Sequence, residues 1–105
     1  MTKLLTQSEV RRRLKGMEGW QLRGKFIRKT FEFKTFMAGI RFIGDIAKIA
    51  EEQEHHPDIH VRYTSITLQI QTHSEGGVTE WDVDLARAIE KYLHQDPMKM
   101  RSRSP

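Results

Sequence analysis

"TFMAGIRFIGDIAKIAEEQEHHP", residues 35 to 57, is the stretch on which the fold turns. Its spacing predicts one long helix from Thr35 to His55. Thr35 is a fitting N-cap, because its hydroxyl can accept from a free backbone N–H of the first turn. Phe36, Ile40, Ile43, Ala47 and Ala50 recur at four- and three-residue steps and form one apolar stripe. Phe42, Ile46 and Ile49 form a second stripe on another flank. One stripe is enough to seat a helix on a sheet. Two lead us to expect contact with another subunit as well, although a helix buried on both flanks in a monomer would show the same pattern. Pro57 stops the helix and pushes His56 into extended backbone, leaving His55 on the last helical turn.

Elements of different period lie on either side. Upstream, "GWQLRGKFIRKTFEF" (19 to 33) alternates like a β-hairpin. Trp20 and Leu22 share one parity, Gly24-Lys25 occupies the turn, and Ile27, Phe31 and Phe33 share a face that Lys29 interrupts. Before it, Thr6 to Lys15 has Val10 and Leu14 four apart, Gly16 as a stop, and either Thr6 or Ser8 as cap. Arg11, Arg12 and Arg13 form its wet side.

Downstream, Ile59 to Tyr63 and Ile66 to His73 form two strands. Ile66, Leu68, Ile70 and Thr72 take one face of the second, while Thr67, Gln69, Gln71 and His73 take the other, as in a sheet covered on one side. "SEGG" (74 to 77) is a loop. A last helix runs from about Thr79 to His94, with Leu85, Ala86, Ile89 and Leu93 inward. Thr79 and Asp82 form an acidic capping box, and Val78 with Val83 a hydrophobic staple. The order α-β-β-α-β-β-α predicts an α+β fold: a four-stranded, mostly antiparallel sheet with three helices on one face.

Composition sets the outer bounds. A chain of 105 residues, 37% hydrophobic and 30% charged, fits one folded domain, here residues 1–96. Residues 97–105 form a basic tail without period, expected to be disordered. The net charge is +4, and Lys99, Arg101 and Arg103 of that tail supply most of it. The folded part is therefore close to neutral, and specific nucleic-acid binding is not expected of it. There is no cysteine, which removes disulfide scaffolds and thiol catalysis. No apolar run is long enough to span a membrane, and "MTKLLTQSEV" lacks the features of a signal peptide, so a cytoplasmic location is expected.

The chemistry gathers at element ends. His55 and His56 close the middle helix, His73 closes the last strand, and Asp82 opens the last helix. Rigid elements aim groups placed in this way. Zinc is a poor fit. Adjacent histidines at a helix end point apart, and Pro57 keeps His56 and His60 from sharing a helical face. No metal and no cofactor are expected. General acid–base catalysis needs only one proton donor and one acceptor near neutral pH, which two or three histidines supply. Glu51, one turn before His55, is placed to orient that ring. Each group also has a plain structural explanation. A histidine suits a helix C-terminus, Glu51 and His55 could be a surface pair, His73 could be solvated, and Asp82 is accounted for as a cap. His60 and His94 have no partner group and are read as surface residues.

Together these residues resemble the pterin-4a-carbinolamine dehydratase family, also known as the dimerization cofactor of a homeodomain transcription factor. The family pattern is an acidic residue, three spacers, His-His-Pro, five spacers, an aromatic, nine spacers, a histidine, and an aspartate after a Gly-containing loop. Here these are Glu51, His55 to Pro57, Tyr63, His73 and Asp82, within "AEEQEHHPDIHVRY" and "THSEGGVTEWD". The similarity runs from about Trp20 through "FEFKTF" to the last helix. It implies the same α+β architecture and a homodimer or homotetramer built through sheet edges and the middle helix. It also implies dehydration of 4a-hydroxytetrahydropterin to quinonoid dihydropterin, as in tetrahydropterin recycling, without metal or cofactor. Catalysis would fall to His55, His56 and His73, supported by Glu51 and Asp82. His55 and His73 would act on the acid side and His56 as base. His56, Pro57, Thr72, His73 and Ser74 would contact the pterin. A pterin-dependent hydroxylase in the same pathway would supply the substrate. Animal members carry an aromatic pair where this chain has Ile59 and His60, which bears on the pocket wall. The alternative is a non-catalytic interaction or assembly protein of the dimer-stabilising cofactor type, with Phe42, Ile46 and Ile49 as its partner surface.

Overall fold

The structure, a computed structural model, describes residues 3–95, so the basic tail lies outside the described residues. Chain order is α1 (Gln7–Leu14), β1 (Gln21–Arg23), β2 (Phe26–Glu32), α2 (Phe36–Gln53), β3 (Asp58–Arg62), β4 (Ser65–Ile70), a 3-10 turn (His73–Glu75) and α3 (Glu80–Gln95). The strands lie in the order β1-β2-β4-β3, and every neighbouring pair is antiparallel. Two hairpins thus meet along a central β2–β4 seam, with Ile27 opposite Ile70 and Glu32 opposite Ser65.

Alternation makes this sheet two-sided. Ile27, Phe31, Ile66, Leu68 and Ile70 point inward and are fully buried against the helices. On the outer face the Thr30 and Thr67 hydroxyls are 2.8 Å apart, and Ser65 donates to Glu32. Lys29 does not interrupt the inner face. It is 6% exposed, its ammonium meets Glu90 of α3 at 2.7 Å, and it lies 4.8 Å from the Phe31 ring centre. Trp20 Nε1 donates to the same Glu90 oxygen, so this carboxylate satisfies two buried donors.

In α1, Thr6 is the cap: its hydroxyl accepts from Glu9 N–H, and Glu9 returns the bond to Thr6 N–H. Val10 and Leu14 reach the core.

The two stripes of α2 are oriented opposite to expectation. Ala38, Gly39, Phe42, Ile46 and Ala50 face the core. Phe42 and Ile46 are therefore not a partner surface, and Ile49 is half-buried. Of the other stripe, Phe36, Ile40 and Ala47 are exposed, Ile43 is half-buried, and only Ala50 is buried. Gly39 explains the choice. A Cβ there would lie 3.3 Å from Ile66 Cδ1 and 3.6 Å from Phe33 Cδ2, so only this face lets the helix approach the sheet so closely. Phe42 then fits between Phe31 and Phe33, at 4.9 Å from each ring.

The helix also ends earlier than expected. Glu54 adopts the left-handed conformation (φ 52) and caps it, and His55 N–H bonds to Ala50 O beyond the cap. His55 is thus outside the last helical turn. Strand β4 likewise stops at Ile70, before His73, because Thr72 bridges to Gly77 and the chain turns tightly through Gly76 (φ 74). The α3 staple is in place, with Val78 and Val83 both buried. The Tyr92 hydroxyl donates to Asp45, tying α3 to α2.

Candidate active site

Three segments converge at one end of the sheet: the residues after α2, the turn after β4, and the first turn of α3. Asp82 joins them. It is fully buried, a position a carboxylate holds only when its oxygens are well supplied with hydrogen bonds. Oδ2 accepts from Thr79 N–H at 2.7 Å, which caps α3, and from the Thr72 hydroxyl at 2.9 Å. Oδ1 lies 2.5 Å from His55 Nε2. The Thr72 proton is committed to Asp82, so at 2.8 Å the Thr79 hydroxyl donates to Thr72 while accepting from Trp81 N–H. The chain of donors is complete, and it leaves His55 only 13% exposed with one ring nitrogen occupied.

His56 faces the other way. Its Nε2 lies 2.5 Å from Glu51 Oε2, and the two side chains are 59% and 75% exposed. The expected pairing of Glu51 with His55 is therefore corrected to Glu51 with His56. The left-handed Glu54 is the reason: it swings His55 across to α3 and lets His56 fold back along α2.

Pro57 is half-buried beside His56, and His73 and Ser74 are exposed at the start of the 3-10 turn. Thr72 is buried, and its hydroxyl anchors that turn to Asp82. His60 sits on the outer sheet face opposite Thr67, and His94 lies 3.4 Å from Glu90 on α3. Tyr63 occupies the β3–β4 turn in left-handed backbone (φ 51), at the opposite end of β4 from Thr72. Among the described residues no three His, Asp or Glu side chains are grouped to hold a metal ion.

One residue beside these candidates was not singled out in the sequence. Trp81 is 45% exposed, and its ring centre lies 6.0 Å from that of His55. The available signal was a large apolar side chain in the first turn of α3, between two acids.

An imidazole held by a carboxylate through one nitrogen presents the other for proton transfer in a fixed direction. His55 and His56 are two such units on adjacent residues, and His73 follows Thr72, whose hydroxyl donates to the Asp82 that holds His55.

The sequence model described as Pterin 4 alpha carbinolamine dehydratase matches residues 3–92. The chain belongs to the pterin-4-alpha-carbinolamine dehydratase family. A Sulfolobus acidocaldarius protein provisionally given that enzyme's name is 46% identical over 87 residues, covering 83% of this chain and 96% of the relative. A Roseiflexus castenholzii protein with the same provisional name is 41% identical over 93 residues, 89% of this chain and all of the relative. Among solved structures, a transcriptional coactivator/pterin dehydratase from Brucella melitensis superposes with a TM-score of 0.80 at 35% identity, covering 85% of this chain and 97% of that one. The family match runs from before α1 into α3, so it contains both carboxylate-held histidines and the His73 turn.

Proposed function

We propose that this dehydratase family member removes water from a 4a-hydroxytetrahydropterin and yields the quinonoid dihydropterin. The observation that carries the reading is His55 locked onto the fully buried Asp82, beside a second carboxylate-held histidine. The reaction breaks the C4a–O bond as the hydroxyl leaves with an added proton. The N5 proton is removed, and the N5 electrons form the C4a=N5 double bond. Nothing is oxidised or reduced, so one acid and one base suffice and no cofactor is required. His55 and His73 act on the departing hydroxyl, and His56, held by Glu51, takes the N5 proton. Pro57 and Ser74 flank these groups. Such a protein would serve a reaction that hydroxylates a tetrahydropterin at C4a, as pterin-dependent hydroxylases do.

The test is direct. The pure protein is expected to accelerate dehydration of chemically prepared 4a-hydroxytetrahydropterin; a rate equal to that in buffer would remove the reading.

Self-association is the second part of the proposal. Its surface is the outward stripe of α2, where Phe36, Met37 and Ile40 are exposed. This surface is separate from the histidines, so assembly and catalysis can coexist. Ultracentrifugation should show dimers or tetramers for the native chain and monomers for Ile40→Glu. A native monomer would count against it.

A further inference from the structure

We infer that Trp81 is the stacking wall of the pterin site, an inference that rests on the dehydratase reading above. Isolated exposed aromatics are ordinary, but the position of this one is not. Three consecutive residues in the first turn of α3 point three ways. Glu80 ion-pairs with Arg13 of α1 at 2.5 Å, Asp82 turns inward to His55, and Trp81 stands out beside the His55 ring, inclined to it by 58°. Its backbone N–H donates to Thr79 Oγ1 at 3.2 Å. The indole is therefore carried on a doubly anchored turn, at the rim of the proton-transfer groups.

A pterin is a flat, electron-poor bicycle, and an indole face is electron-rich and broad. Stacking there would set the ring system against His55 while leaving its edge free to meet the other imidazoles. The reaction itself sharpens the effect. C4a is tetrahedral in the carbinolamine and becomes planar as the double bond to N5 forms. A stacked indole therefore contacts the flattened transition state and product better than the puckered substrate, and differential contact of this kind raises rate. The other tryptophan, Trp20, is buried and bonded to Glu90, so it cannot play this part.

The probe is 6-methylpterin, a stable planar pterin, titrated by calorimetry into native protein, Trp81→Ala, Trp81→Leu and Trp81→Phe, alongside dehydration kinetics. Trp81→Ala is expected to bind about ten-fold more weakly, the order of one lost aromatic stack, with a matching fall in kcat/KM. Trp81→Phe should restore most of both, and Trp81→Leu, apolar but without a π-face, should not. Unfolding midpoints of the four proteins separate a loosened helix from a lost contact. If Trp81→Ala matches the native protein in both affinity and kcat/KM, or if Leu rescues as well as Phe, the stacking role is overturned while the dehydratase reading stands. If the native protein neither binds the probe nor accelerates dehydration, both fall.

Discussion

Asp82 reaches back 27 positions to His55 with one oxygen and closes its own helix with the other. The group that starts α3 is thus the group that aims the histidine. Asp82→Asn keeps the shape but alters both jobs. We expect about 1–3 kcal/mol of lost stability in urea unfolding, from the weakened cap and imperfectly paired Thr72 and His55. We expect at least a hundred-fold loss of kcat, in the range of a misplaced acid–base group. Full activity in this variant would sever the link between Asp82 and the chemistry.

His56 and Glu51 should show the reverse balance. Their pair is largely solvent-exposed, so Glu51→Gln and His56→Ala should each change stability by no more than about 0.5 kcal/mol. His56→Ala should nonetheless remove most of the dehydration rate. A normal rate would take His56 out of the site.

Lys29 and Glu90 form the opposite kind of pair, nearly enclosed in the core. Lys29→Met leaves a largely buried carboxylate with only Trp20 and the exposed His94 as partners, which should cost about 3 kcal/mol. Replacing both, as Lys29→Met with Glu90→Leu, should cost less than the two single changes summed. Additive losses in a denaturant double-mutant cycle would show that the two charges are not coupled.

The α1 cap predicts a pH dependence. Bonding to the Thr6 backbone N–H holds the Glu9 carboxyl below its ordinary value against the opposing effect of desolvation, with lesser help from the Thr6 hydroxyl and the positive charges of Arg13 and Lys3. A depressed carboxyl stabilises the fold above its unfolded pKa, and that contribution is lost as pH falls through the folded value. Glu9→Gln should therefore lower the thermal midpoint at neutral pH and match the native protein in strong acid. A gap that persists in acid would mean that the charge is not what the cap uses.

Much of this architecture was legible because local signals agreed. Alternation in β4, the Thr79–Asp82 cap and the Val78–Val83 staple each follow from a few adjacent residues. What stayed hidden depended on neighbours far along the chain. Either stripe of α2 could have been the inner one until Gly39 was seen against Ile66, although the small Ala38-Gly39 step was a hint. Lys29 looked like an interruption because Glu90 lies 61 positions away. The candidate residues His55, His56, His73 and Asp82 were all singled out in the sequence, but the pairing of His55 with Asp82 and of His56 with Glu51 was not. That assignment depends on the left-handed Glu54, and nothing in its side chain demands that backbone.

The β2–β4 seam has a further consequence, for synthesis. Each hairpin can form as soon as its own strands leave the ribosome, but the seam joins Ile27 to Ile70, and α3 then supplies Leu85, Ile89 and Leu93 to cover it. Such distant pairings form slowly, since a long loop must close before they are rewarded. Because Asp82 arrives only with α3, a nascent chain lacking that helix carries His55, His56 and His73 without the carboxylate that holds His55. The growing polypeptide is therefore expected to lack the proposed dehydratase activity until almost the whole domain has emerged.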